Sequence, residues 1–360
     1  MERTDLALHP NEASDLSPVF DPATLDRLGW DRALVTVLDE VAGDECLAIL
    51  GHDADAAIAR GWHAKRIPTK AGREAGRTQD AESIARHDGC LYVLGSQFGK
   101  NRGPLQASRS WIGRVKEREV AAWLIDEGVR RPKMQIARLR FGLHRAINDA
   151  LAASPVALAE PGPLTTVRYV EQTMLRGIAQ DKSWKARIHA RDLPVNVEGA
   201  CFRPNGRLLL GLRYPVTREG APLIVELDDV DAVFAGRDPV CSAVWWLEGV
   251  GRFDRPVGLR AIHDVGPDRF EAIVGNLDAT DKDSTIVEDD PRAGLATSVH
   301  VAFDLPALAR GGAVGTRVVH RFAGQTRVEG LATSDGHLHY VTDEDGHLGL
   351  HSLLAEAASG

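Results

Sequence analysis

The sequence has no long hydrophobic run, no closely spaced cysteines, few aromatic residues and no excess of basic charge, and each shortage removes a class of protein. No apolar stretch approaches the roughly 18–20 residues of a membrane span. Residues 1–15 lack the basic and apolar regions of a secretory signal. Cys46, Cys90, Cys201 and Cys241 stand singly, without a Cys-x-x-Cys, which argues against a disulfide framework and points to a reducing, cytoplasmic setting. With 43 basic against 51 acidic residues the net charge is −8, which speaks against nucleic acid or an anionic membrane as partner. Also missing are a P-loop, a dinucleotide fingerprint, a kinase set, an HExxH zinc motif and a Gly-x-Ser-x-Gly elbow. What remains is an acidic chain of 360 residues, 44% hydrophobic and with 35 glycines, enough for an ordinary folded core.

What is present is an internal repeat. Segments 80–96, 196–213, 258–276 and 327–343 each read as two short apolar strands around a turn, with Asp88-Gly89, Asn205-Gly206 and Asp335-Gly336 as turns that tolerate positive φ. A weaker copy spans Leu34 to His52. Hairpins repeated this way predict an all-β chain, a β-propeller of about six blades, with five or seven as the alternatives. One position recurs in the first strand of the four copies as Glu82, Glu198, Arg260 and Glu329. The wide gap between Glu82 and Glu198 leaves room for a blade without the motif.

Between residues 116 and 155 turn signals cease, and Ile136, Leu139, Leu143, Ile147 and Leu151 recur at helical spacing, which predicts one amphipathic helix over 134–153 inserted in the propeller. The expected organisation is an N-terminal segment, 1–30, that joins the last blade or is partly disordered, followed by a single propeller domain over 31–355.

Asn196-Val-Glu-Gly with Arg207-Leu-Leu-Leu-Gly-Leu-Arg213, Glu82-Ser-Ile-Ala with Val93-Leu-Gly-Ser96 and its loop Gln97–Pro104, and the late Val328-Glu-Gly-Leu-Ala332 resemble an uncharacterised bacterial β-propeller family that is similar to the esterase-like phytases. The resemblance implies the fold over residues 33–350 and an ester or phosphoester hydrolase as the enzymatic expectation.

Pseudo-symmetry brings Glu82, Glu198, Arg260 and Glu329 to similar depths near a central channel, and the second-strand exits add Ser96, Arg213, Asn276 and Asp343. Carboxylates gathered in this way need a cation or basic partners, because repulsion and desolvation both raise their pKa. Two resolutions follow. In one, Glu82, Glu198, Glu329, Asn276 and Asp343 hold a Ca²⁺ ion, a metal that takes several oxygen ligands. In the other, Arg213 and Arg260 neutralise the acids and grip an anionic small molecule, with Glu198 and Glu329 as catalytic carboxylates. The alternative to an enzyme is a scaffold that holds a partner protein.

Overall fold

In the computed structural model, which describes residues 2–8, 13–39, 41–279, 283–344 and 347–355, the Val-, Ile- and Leu-rich runs form five separate sheets. β1 (Glu2–Leu6) leaves at once for the last sheet. The first sheet holds β2 (Ala13–Pro18), β3 (Trp30–Leu38), β4 (Leu47–Asp53) and β5 (Trp62–Ile67). The second holds β6 (Ala81–His87), β7 (Cys90–Gly95), β8 (Trp111–Lys116) and β9 (Met134–Arg138). The third is β10 (Asn196–Phe202), β11 (Leu208–Tyr214), β12 (Leu223–Leu227) and β13 (Cys241–Glu248). The fourth runs through β14 (Gly258–Gly266), β15 (Arg269–Gly275) and β16 (Val299–Asp304); β17 (Gly312–Gly315) then crosses back to lie parallel on β13, and β18 (Arg317–Arg321) completes the fourth sheet. The fifth, β19 (Val328–Ser334), β20 (His337–Glu344) and β21 (His347–Leu354), is completed by β1, whose Thr4 pairs with Leu350.

The first strands meet in a ring: β2 packs on β6, β6 on β10, β10 on β14, β14 on β19, and β19 back on β2. An apolar core fills each space between neighbouring sheets. Val37, Ile49 and Trp111 lie between the first and second, and Tyr92, Ile112, Leu210 and Val225 between the second and third. Leu209, Trp245 and Phe270 follow, then Ile273, Leu331 and Tyr340, and Leu34, Leu50, Val341 and Leu350 close the circuit. Non-directional burial of apolar area holds this propeller-like arrangement together, spread over five equivalent interfaces.

The expected count of about six blades is corrected here: five sheets are present among the described residues. The room between Glu82 and Glu198 is taken by α2 (Glu117–Ile125), α3 (Gly142–Ala153) and a helical run, Pro163–Thr165, Thr166–Glu171 and Gln172–Ala179. The weak copy at Leu34–His52 is β3 and β4, one strand out of phase with the others. The single helix expected over 134–153 is also corrected, because Met134–Arg138 is β9, and Arg140 and Phe141 turn the chain with φ of 48° and 66° before α3 begins. The helical spacing of Ile136 and Leu139 from Leu143 is coincidental: Ile136 lies in β9 and packs on the core between the first and second sheets, while Leu139, in the connection, packs with Leu143 on the core between the second and third. Within α3 the stripe Leu143, Ile147 and Leu151 is buried against Val195, Val197 and Leu210. Pro163, expected to lead back to strand, instead occupies the first turn of a helix, where its missing N–H costs nothing.

The sheet interfaces also bury histidines. His339 is fully buried between the fifth and first sheets, where its ring nitrogens meet the hydroxyls of Ser352 at 2.9 Å and Ser334 at 3.1 Å. Burial, with Arg32 and His337 adding to it, pushes its pKa down to about 3. His263, also pushed down chiefly by burial, accepts the Thr333 N–H at Nε2, a bond that requires an unprotonated nitrogen. His339 stays neutral in the fold and His263 resists protonation there, but both take up protons below pH 6.5 in the unfolded chain. Stability is therefore expected to fall as pH drops below 6.5, by up to about 1.4 kcal/mol per pH unit for each ring. Urea midpoints between pH 7 and 5 check this, and His339→Gln should flatten the slope.

Candidate active site

Near its start, each first strand contains a residue that the ladder skips: Asp15 in β2, Glu82 in β6, Glu198 in β10, Arg260 in β14 and Glu329 in β19; β14 skips a second, Val265, at its far end. A bulge leaves its extra residue outside the ladder and re-aims the side chain. Because the five strands form a ring, the five bulges fall at one end of it, where the second strands leave through Ser96, Arg213 and Asn276. The glycine of the Glu-Gly pairs has a steric cause: a Cβ on Gly330 would lie 2.8 Å from the backbone carbon of Asp15 and 2.5 Å from Val341, and one on Gly199 would lie 3.1 Å from Ala261. Only a residue without Cβ lets the neighbouring first strand come that close.

Glu198, Arg260 and Glu329 form one buried network. Arg260 forms ion pairs with Glu198, its Nε 2.9 Å from Oε2, and with Glu329 through Nη2 and Oε1, and it donates from Nη1 to Asn276 Oδ1 at 3.3 Å. Arg213, itself skipped by the ladder in β11, donates to Glu198 Oε1 at 2.7 Å and to the Asn276 carbonyl at 3.3 Å. Asn196 gives Glu198 a further bond at 3.0 Å. The outer edge of Arg213 is weakly held: Nη2 lies 3.5 Å from Asn276 Oδ1 and 3.8 Å from Asp278 Oδ1.

Glu82 behaves differently. It makes no hydrogen bond or ion pair among the described residues. Burial first, then the charges of Asp80, Glu198 and Asp39, hold its carboxyl well above the usual range, with Arg109 opposing them. Asp80 is itself fixed, by Arg109 at 2.9 Å and by the Ser96 hydroxyl. A proton-holding carboxyl thus stands beside arginine-paired carboxylates, and environments that separate otherwise similar acids mark out acid and base roles.

Asp15, the fifth ring residue, is fully buried, and burial raises its pKa while bonds from the Leu16 and Ile84 amides, at 2.9 and 3.0 Å, act against the rise. It stitches the first sheet to the second. Asp15→Ala is expected to cost about 1–3 kcal/mol in the urea midpoint, because the Ile84 amide loses its acceptor in the interior.

The structure therefore brings Glu198, Arg213, Arg260, Asn276 and Glu329 together, with Glu82 beside them. The side chain of Asp343 lies outside the described residues; its backbone pairs with Leu348. The described residues do not fit a calcium shell. Both Glu198 oxygens and Oε1 of Glu329 face guanidinium groups, and among the described residues no three His, Cys, Asp or Glu converge as metal ligands. Asp15, Asp80, Arg109 and Asn196 were not foreseen. One signal for Asp15 lay in the numbering: it precedes Glu82 by about the distance separating Glu198, Arg260 and Glu329 from one another.

This end of the ring is capped. Phe98, Phe141, Tyr169, Trp184, Tyr214 and Leu277 form a separate apolar cluster that ties the helical run to the second-strand exits. The loop residues Lys100 and Arg102 stand at this end, where Arg102 pairs with Asp283 at 2.7 Å in solvent.

No family model matches the sequence, and no curated protein does. Among solved structures the chain is similar to a mannose phosphorylase from Leishmania mexicana in complex with phosphate ion, at 10% identity over 98% of this chain and 88% of that one, TM-score 0.41. It is likewise similar to an alpha-L-arabinanase from Cellvibrio cellulosa, at 12% identity over 95% and 91%, TM-score 0.42. A third is the PQQ-bound aldose sugar dehydrogenase from Streptomyces coelicolor, at 12% identity over 98% and 99%, TM-score 0.37. Likenesses this distant say nothing about chemistry.

Proposed function

We propose that the five sheets are the blades of a propeller whose capped end binds a small molecule with an anionic group and hydrolyses an ester or phosphoester bond in it. The observation that carries this reading is Glu82, the one charged ring residue without a hydrogen bond or ion pair among the described residues. Water adds to the acyl or phosphoryl centre, the bond to the leaving oxygen breaks, Glu82 gives that oxygen its proton, and it regains a proton from the attacking water. The outer edge of Arg213 supplies donors for the substrate anion, and Glu198, fixed by two guanidinium groups and Asn196, keeps that arginine in place.

The test is turnover of a panel of aryl esters and phosphate mono- and diesters by the wild-type protein and by Glu82→Gln. Hydrolysis lost in the variant supports the reading. Hydrolysis that survives the substitution, or that the wild type lacks across the panel, overturns it. One observation favours a second reading, a surface for a partner protein: Leu175 and Ile178, on the helix Gln172–Ala179, are 60% and 59% exposed.

A further inference from the structure

The cap contains a cleft of about 380 Å³ that the ring network does not use. Its walls are apolar, with Val216, Leu277, Ile286 and Phe253 among them, and a volume of this order suits a small organic molecule. Two of the three acids of the cleft are already engaged. Asp289 accepts the backbone amides of Leu164 and Thr165, at 3.1 and 2.5 Å, and Asp290 is paired with Arg292 through bonds of 2.8 and 2.9 Å. The third, Glu160, is exposed. Beside these acids stand Tyr214 and Arg218. The Tyr214 hydroxyl belongs to a side chain only 6% exposed, and it makes no hydrogen bond among the described residues. Arg218 lines the cleft with an exposed guanidinium that has no ion pair among the described residues. At the rim, Phe253 is 65% exposed and lies against the Arg292 guanidinium at 4.3 Å.

The ring of Tyr214 is buried while its hydroxyl remains accessible from the cleft, so the hydroxyl is open to a guest molecule. Tyrosine makes sense if the hydroxyl serves a guest. Neighbouring residues divide the labour: Arg213 and Asn276 face the ring network, while Tyr214 and Leu277 line the cleft.

We infer that this cleft is a binding site for a small aromatic carboxylate, with the ring between Phe253, Val216, Leu277 and Ile286, the carboxylate on Arg218 and a polar substituent or carboxylate oxygen at the Tyr214 hydroxyl. Arginine matches a carboxylate through paired N–H donors, and the apolar walls take the ring. The inference is independent of catalysis at Glu82.

The experiment is calorimetric titration of the full chain with benzoate and 1-naphthoate, and with benzamide as the uncharged control. At ordinary ligand efficiency the benzoate Kd is about 1 mM, with 1-naphthoate tighter. Arg218→Gln should weaken both carboxylates about tenfold and leave benzamide unchanged. Tyr214→Phe should weaken them several-fold while its melting temperature stays level or rises, a combination that a purely structural tyrosine would not give. Carboxylates that do not bind at about 10 mM, or that bind both variants as tightly as the wild type, overturn the assignment.

Discussion

Replacing Arg260 by methionine is expected to destabilise the fold by about 3–5 kcal/mol, seen as a lower urea midpoint at an unchanged slope. Arg260 is 3% exposed and is the only residue bridging Glu198 and Glu329 in the described network. Without it Glu329 loses its arginine partner and Glu198 keeps only Arg213, so an uncompensated carboxylate remains inside the ring. The size of the loss reflects the cost of stranding a buried charge rather than the worth of the ion pair. The variant carrying Arg260→Met with Glu198→Gln and Glu329→Gln should therefore recover most of the stability. A triple variant as unstable as the single one would show that shape, and not charge, fixes this centre.

The second large effect is on turnover. Glu82→Gln keeps the shape of the side chain and removes its proton, and loss of a general acid of this kind lowers kcat by about 10²- to 10⁴-fold. The pH profile identifies the cause. Glu82 acts in its protonated form, so activity should decline as pH rises through a pKa held above the ordinary glutamate range by burial and by Asp80. Asp80→Asn removes one of the charges that raise it and releases Arg109, which lowers it, so the declining limb should move to lower pH. An unmoved limb would assign the proton transfer to another group.

The fold class was legible because the turns are local. Asp88-Gly89 and Asp335-Gly336 adopt positive φ at both residues and close tight hairpins, and such dipeptides declare themselves in the sequence. Glu82, Glu198 and Glu329 were legible because each sits six or seven residues before such a turn, and Arg260 because it holds the same place before the Gly266-Pro267-Asp268 turn. Asp15 was not, since β2 and β3 are joined through a helix, α1 (Pro22–Leu28), and no turn dipeptide marks the place. The pairing of Arg260 with two glutamates from other sheets depends on contacts remote in sequence, which local pattern does not encode. The arginine pairing of the acids was illegible for the same reason: equivalence by repeat brings the acids to one depth but is silent on whether arginines stand between them. The helical run after Pro163 was hidden by its own prolines, which read as loop.

The pairing of β1 with β21 also sets a condition on how the protein is made. The fifth sheet needs β1 as well as β19–β21, so β1 cannot find its place until β21, made about 340 residues later, has emerged. Contacts that span the whole sequence are slow to form, because the chain must close its largest loop before they reward it. Until then the first sheet waits with Leu34 and Leu50 uncovered on the face that later meets Val341 and Leu350. Synthesis that stalls before β21 thus leaves a sticky, open assembly for chaperones to shield, and the emergence of β21 is the event that lets the circle shut.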